Sequence, residues 1–290
     1  MTTTREFFDM STAPLRVGKV HLKVRDLDTV SRFYQQVMGL GEIAASGRQA
    51  VLGVGETPLL VLDADPALTA SDRRQAGLFH TAFLLPSRAD LARWLGHVAE
   101  QRLRLQGASD HIVSEALYLA DPEGNGIEVY VDRPVPQWLD AGGHIQMSTD
   151  PLDVQDLLRA AGTSVWSGFP EAGSIGHVHM QVGDTAEADR FYRDVLGFAV
   201  TVDYPGASFY GSGGYHHQLA GNIWNSRGAP QRPQNMAGLE RVDLVASDAG
   251  TIATILGRAG KAGLEVTKTA AGATLRDPWG TAITLASGAN

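Results

Sequence analysis

Three residues far apart in the chain are of types that bind a divalent metal ion. His80 lies in GLFHTAFLL, Glu128 in DPEGNGIEVY and His177 in SIGHVHMQV. Neutral imidazole and carboxylate groups are common metal ligands. The chain has no cysteine, so a metal site must be built from His, Asp or Glu. If these three residues form a site, the fold must bring them together.

Glu128 has two possible roles, which follow from its position on a predicted strand. Alternation along the strand sends Ile127 and Val129 to one face of the sheet and Glu128 to the other. A carboxylate on a central apolar strand is costly unless it is paired, hydrogen-bonded or bound to a metal. The residue itself leaves open whether Glu128 is a metal ligand or part of a buried ion pair.

An internal repeat places these residues in a larger plan. Residues 18–40, GKVHLKVRDLDTVSRFYQQVMGL, recur as residues 176–198, GHVHMQVGDTAEADRFYRDVLGF, with ten identical positions in register. A weaker pair is DPEGNGIEVY and DPWGTAITLA. We therefore predict two domains, 14–133 and 174–287, joined by a linker, 134–173, with one short helix near 151–161.

Each half is predicted to contain two modules of the order βαβββ. The first opens with a strand over 20–24 and an amphipathic helix from Leu27 to Met38, which Gly39 ends. Short strands follow, separated by glycines. The same order recurs with strand–helix pairs at 79–85 and 88–103, 177–182 and 185–196, and 241–246 and 249–260. The predicted fold class is α+β, with four βαβββ modules forming two domains.

The three candidate ligands are confined to the second and third modules. At the matching positions the outer modules have other residue types: Lys19, Arg241 and Thr284. A lysine ammonium has no free lone pair to offer a metal. This distribution favours one complete site between modules two and three. If the modules pair one-with-two and three-with-four instead, the site must form across a subunit interface or not at all.

Three further histidines are expected to have supporting roles. His179 lies two residues after His177 on the same strand face, so a shift of register would make it the ligand instead. His21 recurs in a module without the other ligands, which favours a packing or supporting role for both His21 and His179. His144, in the linker, is expected to be structural or exposed.

The paired modules, the helix motif FYRDVLG and the strand motif DPEGNGIE resemble the vicinal oxygen chelate superfamily over nearly the whole chain. Within it, the sequence is most similar to extradiol ring-cleaving dioxygenases of the bacterial catechol 2,3-dioxygenase type. The resemblance implies ring cleavage of a catechol in the catabolism of aromatic compounds. It also implies Fe(II), with Mn(II) as the other suitable ion, held by His80, Glu128 and His177.

The same resemblance implies roles for four more residues. In GGYHHQLAGNIW, His217 matches the acid–base member of a histidine pair and His216 its neighbour. Tyr118, ten residues before Glu128, matches an active-site tyrosine, and His111 lies near the place of a further active-site histidine. The structural alternatives are an exposed strand position for His216 and a core position for Tyr118. Two aromatic residues, Trp224 and Phe209, would line the substrate cavity if they face it, but both are expected to pack in the core.

Two other functions stay open. Glyoxalase-like metal-dependent isomerases or lyases of this superfamily typically use four protein ligands, including a second glutamate. The strands LLVLD and QLAGN offer no obvious candidate for it. Other members are non-catalytic proteins that bind a small aromatic compound, and these commonly lose the metal ligands. The three candidates in this chain therefore favour the dioxygenase.

Composition limits the partners. The 290 residues have a formal net charge of −8 and no basic run, so nucleic acid and anionic membranes are not expected partners. No apolar stretch approaches the roughly 20 residues that cross a bilayer. The segment MTTTREFFDM lacks the features of a signal peptide, so a cytoplasmic location is expected. We expect a small aromatic diol and dioxygen as substrates, and a homo-oligomer.

Overall fold

The computed structural model describes residues 6–269 and 272–288 of the chain. Its elements follow the predicted order of modules. The first two modules contain β1 (Leu15–Val24), α1 (Leu27–Met38), β2 (Gly41–Ser46), β3 (Gln49–Val54), β4 (Thr57–Ala64), β5 (Gly77–Leu84), α2 (Arg88–Glu100), β6 (Gly107–Asp110), β7 (Ser114–Ala120) and β8 (Gly126–Asp132).

The linker and the last two modules complete the described chain. They contain β9 (Asp150–Pro151), α3 (Val154–Arg159), β10 (Ser174–Gln181), α4 (Thr185–Asp189), a π-helical turn (Arg190–Val195), β11 (Ala199–Tyr204), β12 (Ala207–Gly211), β13 (Leu219–Asn222), β14 (Gly238–Ala246), α5 (Ala249–Lys261), β15 (Thr267–Thr269), β16 (Gly272–Arg276) and β17 (Ala282–Ser287). Among the described residues, no helix is long and apolar enough to cross a membrane.

Each of the two sheets takes one module from each half of the chain. Modules one and four form the outer-module sheet, with strand order β15-β16-β17-β14-β1-β4-β3-β2. Modules two and three form the inner-module sheet, with order β11-β12-β13-β10-β5-β8-β7-β6-β9. The opening strands pair antiparallel, β1 with β14 and β5 with β10. Modules two and three therefore meet within one chain. The division into domains 14–133 and 174–287 stays a prediction drawn from the repeat.

Local signals in the sequence set the ends of the helices. Helix α1 has the predicted bounds: the Asp26 carboxylate accepts a hydrogen bond from the Thr29 N–H, and Gly39 ends the helix with φ 72°. A Cβ at Gly39 would lie 2.6 Å from the Gly168 Cα, so only glycine fits there. Helix α2 ends three residues earlier than predicted because Arg102 adopts φ 55°, which stops the helix.

The main apolar core unites both sheets, and it fixes which face of β8 carries the site. Strand β1 contacts β10, and β14 contacts β5, so the two sheets pack against each other. Ile127 and Val129 belong to the core, and both are fully buried. Alternation along β8 therefore places Glu128 on the opposite face of the strand, as the sequence predicts.

Candidate metal centre and its cavity

Three adjacent strands of the inner-module sheet, β5, β8 and β10, bring His80, Glu128 and His177 together. Their donor atoms all lie within 4.8 Å of one another. Glu128 Oε2 is 2.9 Å from His80 Nε2 and 3.3 Å from His177 Nε2, and the two Nε2 atoms are 3.2 Å apart. The fold thus joins three residues that are up to 97 positions apart.

Strand register explains how the three side chains meet. Ala82, on β5, pairs with Glu128 on β8 and with His177 on β10. His80 lies two residues before Ala82 and therefore projects from the same face. The small methyl group of Ala82 leaves the space between the three larger side chains open.

Burial and mutual charge shift the pKa values of two members of the triad formed by His80, Glu128 and His177. The three residues are 2–6% exposed. Burial lowers the pKa of His177 to about 4, against the attraction of Glu128, so the imidazole is neutral near pH 7. Burial would raise the pKa of Glu128, but the two histidines together hold it well below its usual value. Two imidazoles and one carboxylate, with donor atoms within 4.8 Å of one another, fit a divalent cation.

His179 does not belong to the donor set. The Asn222 Oδ1 accepts a hydrogen bond from the Trp224 N–H, so the Asn222 Nδ2 is the donor to His179 Nε2, at 3.0 Å. The Nε2 lone pair of His179 is therefore already used. His21, its counterpart in the outer-module sheet, lies 2.9 Å from Asp243. Both histidines thus hydrogen-bond to neighbouring side chains, which leaves the expected supporting role a prediction, and His144 is exposed in the linker.

The matching place in the outer-module sheet holds an ion-pair cluster. Where the inner-module sheet has Ala82, β14 has Asp243, which pairs with Lys19 on β1. The Asp243 carboxylate lies 3.2 Å from Lys19 Nζ, 2.7 Å from Arg241 Nε and 2.9 Å from His21 Nε2. Fixed side-chain cations thus take the place that a metal ion would have. In the outer-module sheet the positions of the candidate ligands are therefore occupied by groups that pair with one another.

We expect Asp243→Asn to lower the free energy of unfolding by about 1–2 kcal/mol at pH 7, because it leaves Lys19 and Arg241 without their carboxylate. Burial would raise the pKa of Asp243, but His21, Arg241 and Lys19 together lower it below 3.8. A carboxylate with a depressed pKa stabilises the fold above its unfolded pKa, and this stabilisation is lost as the pH falls through its folded pKa.

Denaturant unfolding of wild type and Asp243→Asn at pH 7 and at a series of acidic pH values measures this effect. The difference in stability between the two proteins should shrink as the pH falls below 3.8, the usual value for this carboxyl group. A difference that stays constant over that series would contradict the electrostatic explanation of the cluster.

A cavity of about 360 Å³ opens above the triad. Five aromatic residues line it: Phe79, Tyr118, Tyr204, Phe209 and Trp224. The expectation of a core position is wrong for Trp224, whereas Phe209 packs in a buried apolar cluster and also lines the cavity. The turn after β13 places the Trp224 ring centroid 5.4 Å from that of Phe79. Trp224 is 46% exposed. These flat walls suit a planar aromatic ligand.

Tyr118 and His111 form a hydrogen-bonded pair at one side of the cavity. The His111 Nδ1 lies 2.6 Å from the Ser148 carbonyl oxygen, which can only accept, so Nδ1 carries the proton. In neutral His111 the Nε2 then accepts from the Tyr118 hydroxyl, at 2.6 Å. Burial, and then the charge of Glu128, raise the pKa of Tyr118 well above its usual value, so the phenol keeps its proton.

A second pair, His217 and His216, reaches the cavity through His217. The His217 ring lines the cavity, with its centroid 4.1 Å from that of His177, and its Nδ1 is 2.8 Å from His216 Nδ1. Burial, and then the nearby histidines, lower the pKa of His217 well below 6.5, so this imidazole is neutral. His216 is fully buried in the segment between β12 and β13, so an exposed strand position is wrong.

Comparison with known proteins identifies the family. Residues 16–129 and 174–285 match the model of the Glyoxalase/Bleomycin resistance protein/Dioxygenase superfamily, and the chain belongs to this superfamily. It is 39% identical over 267 residues to a catechol-2,3-dioxygenase of Bacillus subtilis (strain 168), covering 90% of this chain and 93% of that protein. The predicted family and its relation to catechol 2,3-dioxygenases are confirmed.

Solved structures share the fold at low identity. Glyoxalase I from Zea mays superposes with a TM-score of 0.57 and 14% identity, covering 94% of this chain and 92% of the other. A candidate dioxygenase from Bacillus subtilis subsp. subtilis str. 168 gives a TM-score of 0.61 and 12% identity, covering 94% and 84%. These likenesses show the α+β architecture alone.

Proposed function

We propose that the protein is an extradiol dioxygenase that opens a catechol-type ring with dioxygen at an Fe(II) ion held by His80, Glu128 and His177. The observation that carries the proposal is the convergence of these three donors at an aromatic-walled cavity. Two histidines and one carboxylate occupy one face of an octahedral ion, the arrangement of non-haem Fe(II) oxygenases. Mn(II) suits the same donors. The catechol-2,3-dioxygenase relative supports a catechol as the substrate.

The ion, when bound, would hold the diol and dioxygen together and provide a path for electrons between them. The side chains around it have separate tasks. The aromatic walls can orient a planar ring and exclude water from it. His217 is neutral and lines the cavity, so its Nε2 can accept a proton from a diol hydroxyl and later return it.

Tyr118 and His111 can also act on the substrate oxygens. The Tyr118 hydroxyl keeps its proton and is held by His111, which is itself fixed by the Ser148 carbonyl. The Tyr118 O–H is donated to His111 Nε2 while His111 is neutral. Once His111 takes up a proton, its Nε2–H donates to the Tyr118 oxygen, and the phenol O–H can bond a substrate oxygen that gains negative charge.

The donor set weighs against the isomerase alternative. Within residues 6–269 and 272–288, the cluster contains three candidate donors and no fourth His, Asp or Glu. A four-ligand site of the glyoxalase type is therefore not formed by this part of the chain. The buried triad likewise weighs against a binding protein that has lost its metal.

Anaerobic loading with Fe(II), followed by catechol and air, tests the proposal directly. We expect iron bound to the protein and a yellow, ring-opened product from catechol. If iron is bound but neither catechol nor substituted catechols are opened, the proposed reaction is wrong.

We expect Tyr118→Phe to lower kcat for ring cleavage about 10–100-fold, the effect of losing one hydrogen bond to a charged group. Metal content should be unchanged, because the hydroxyl is not one of the three donors. Tyr210→Phe is the matched control, since its hydroxyl bonds Asp189 and does not line the cavity. An equal loss of kcat in both variants would argue against a role for the Tyr118 hydroxyl.

A further inference from the structure

A chain of buried hydrogen bonds runs from His217 away from the cavity and ends at Asp132. His217 Nδ1 lies 2.8 Å from His216 Nδ1, and His216 Nε2 lies 2.9 Å from Asp132 Oδ1. His216 and His217 are 0% and 4% exposed. Because solvent is excluded, each hydrogen position in the chain is fixed by the neighbouring groups.

With His216 neutral and Asp132 ionised, the hydrogen bonds along the chain allow one arrangement of protons. The Asp132 carboxylate has no proton to give, so His216 Nε2 must donate to it. Neutral His216 then has a lone pair on Nδ1, and this atom accepts from His217 Nδ1. His217 is therefore the tautomer with its proton on Nδ1 and a free lone pair on Nε2. No hydrogen bond to His217 Nε2 is found in the described part of the chain.

We propose that Asp132 is a positioning residue, which acts through His216 to keep the lone pair of His217 Nε2 facing the cavity. Without the carboxylate, the proton of neutral His216 could lie on either nitrogen. With the proton on Nδ1, His216 would donate to His217 Nδ1, and the proton of His217 would then lie on Nε2, where a base is needed. The kinetic part of this inference rests on the proposed function, whereas the tautomer does not.

The surroundings of Asp132 hold the carboxylate in place. The Tyr215 hydroxyl donates to Asp132 Oδ1 at 3.1 Å and lies 2.7 Å from the Tyr130 hydroxyl. Alternation places Glu128, Tyr130 and Asp132 on one face of β8. Strand β8 thus supplies both Glu128 of the metal triad and the carboxylate at the end of the hydrogen-bonded chain from His217 to Asp132.

Close packing holds the Tyr130 side chain, whose hydroxyl lies beside that of Tyr215, in place. A Cβ at Gly176, next to His177, would lie 1.8 Å from the Tyr130 hydroxyl oxygen. Only glycine can precede His177 here without displacing that tyrosine. On the other side, the buried Trp138 ring covers His216 at a centroid distance of 5.0 Å.

Nitrogen-15 NMR of histidine-labelled protein loaded with diamagnetic Zn(II) tests the tautomer. In wild type we expect His217 protonated on Nδ1 alone, and in Asp132→Asn a shift toward protonation on Nε2, since the Asn amide can donate to His216. A wild-type His217 protonated on Nε2 would overturn the inference, whether or not any variant folds.

Steady-state kinetics of the Fe(II) enzyme give the second readout. We expect Asp132→Asn to lower kcat about 100-fold, within the range of general-base contributions, with KM and iron content close to wild type. Asp110→Asn is the matched control. Asp110 pairs with Arg133, the residue after Asp132, and does not belong to the hydrogen-bonded chain from His217 to Asp132. Equal kcat values for both variants would contradict a positioning role.

The two readouts separate this inference from the proposed function. If the tautomers are as stated but wild type opens no catechol, the proposed reaction fails and the positioning of His217 by Asp132 stands. If wild type is active and the tautomer of His217 does not respond to Asp132→Asn, the positioning role fails and the proposed reaction stands.

Discussion

Glu128→Ala should abolish binding of the divalent ion and reduce ring cleavage below detection. Glu128 supplies the one carboxylate of the triad, and its loss leaves two imidazoles, His80 and His177. We expect the metal Kd to rise by well over 100-fold, more than the roughly 10–100-fold lost with a residue that only orients a ligand. The fold should persist, because the change removes a buried charge from the metal-free protein.

Elemental analysis after anaerobic loading and gel filtration measures the bound metal, and circular dichroism checks the fold. His177→Ala should give the same loss. His21→Ala is the matched control, because His21 is a buried histidine of the outer-module sheet, the counterpart of His179, and its loss should leave metal content unchanged. Wild-type metal content in Glu128→Ala would contradict the assignment of the triad.

His217→Gln should lower kcat by about 100- to 10,000-fold while iron content stays near that of wild type, since general acid–base catalysis contributes this much. The glutamine can fill the site and bond His216, but it cannot accept a proton near neutral pH. Stopped-flow measurement of the yellow product gives kcat, and elemental analysis gives the iron content.

His144→Ala serves as the control for His217, because His144 is an exposed linker residue. It should have wild-type kcat and iron content. A kcat of His217→Gln within threefold of wild type would show that another group performs the proton transfer, and it would remove the acid–base role from His217.

The elements of the fold could be predicted from the sequence because their signals are local. The amphipathic pattern from Leu27 to Met38, bounded by Asp26 and Gly39, gives α1 with its observed ends. The pairing of modules could not be derived in the same way. All four opening strands have similar apolar patterns, so either pairing satisfies them, and only the distribution of candidate ligands favoured modules two and three.

The predicted site was limited to residues whose type suggests chemistry. The triad comes from residue type and place in the repeat, whereas the histidine pair, Tyr118 and His111 come from the family resemblance. Ser148 gives no such signal, because it acts through its backbone carbonyl, which any residue would supply. Asp132 ends a strand beside Arg133, where a carboxylate is ordinary, and only the folded chain shows it beside His216.

The central claim is that three distant side chains of one chain hold one catalytic ion. Anomalous diffraction from crystals of the anaerobically Fe(II)-loaded protein tests it most directly, since the signal at the iron edge locates the ion and identifies it. The account predicts one iron bound by His80 Nε2, Glu128 and His177 Nε2, facing the aromatic-walled cavity. An iron bound elsewhere, or a triad that stays empty after loading, would contradict it.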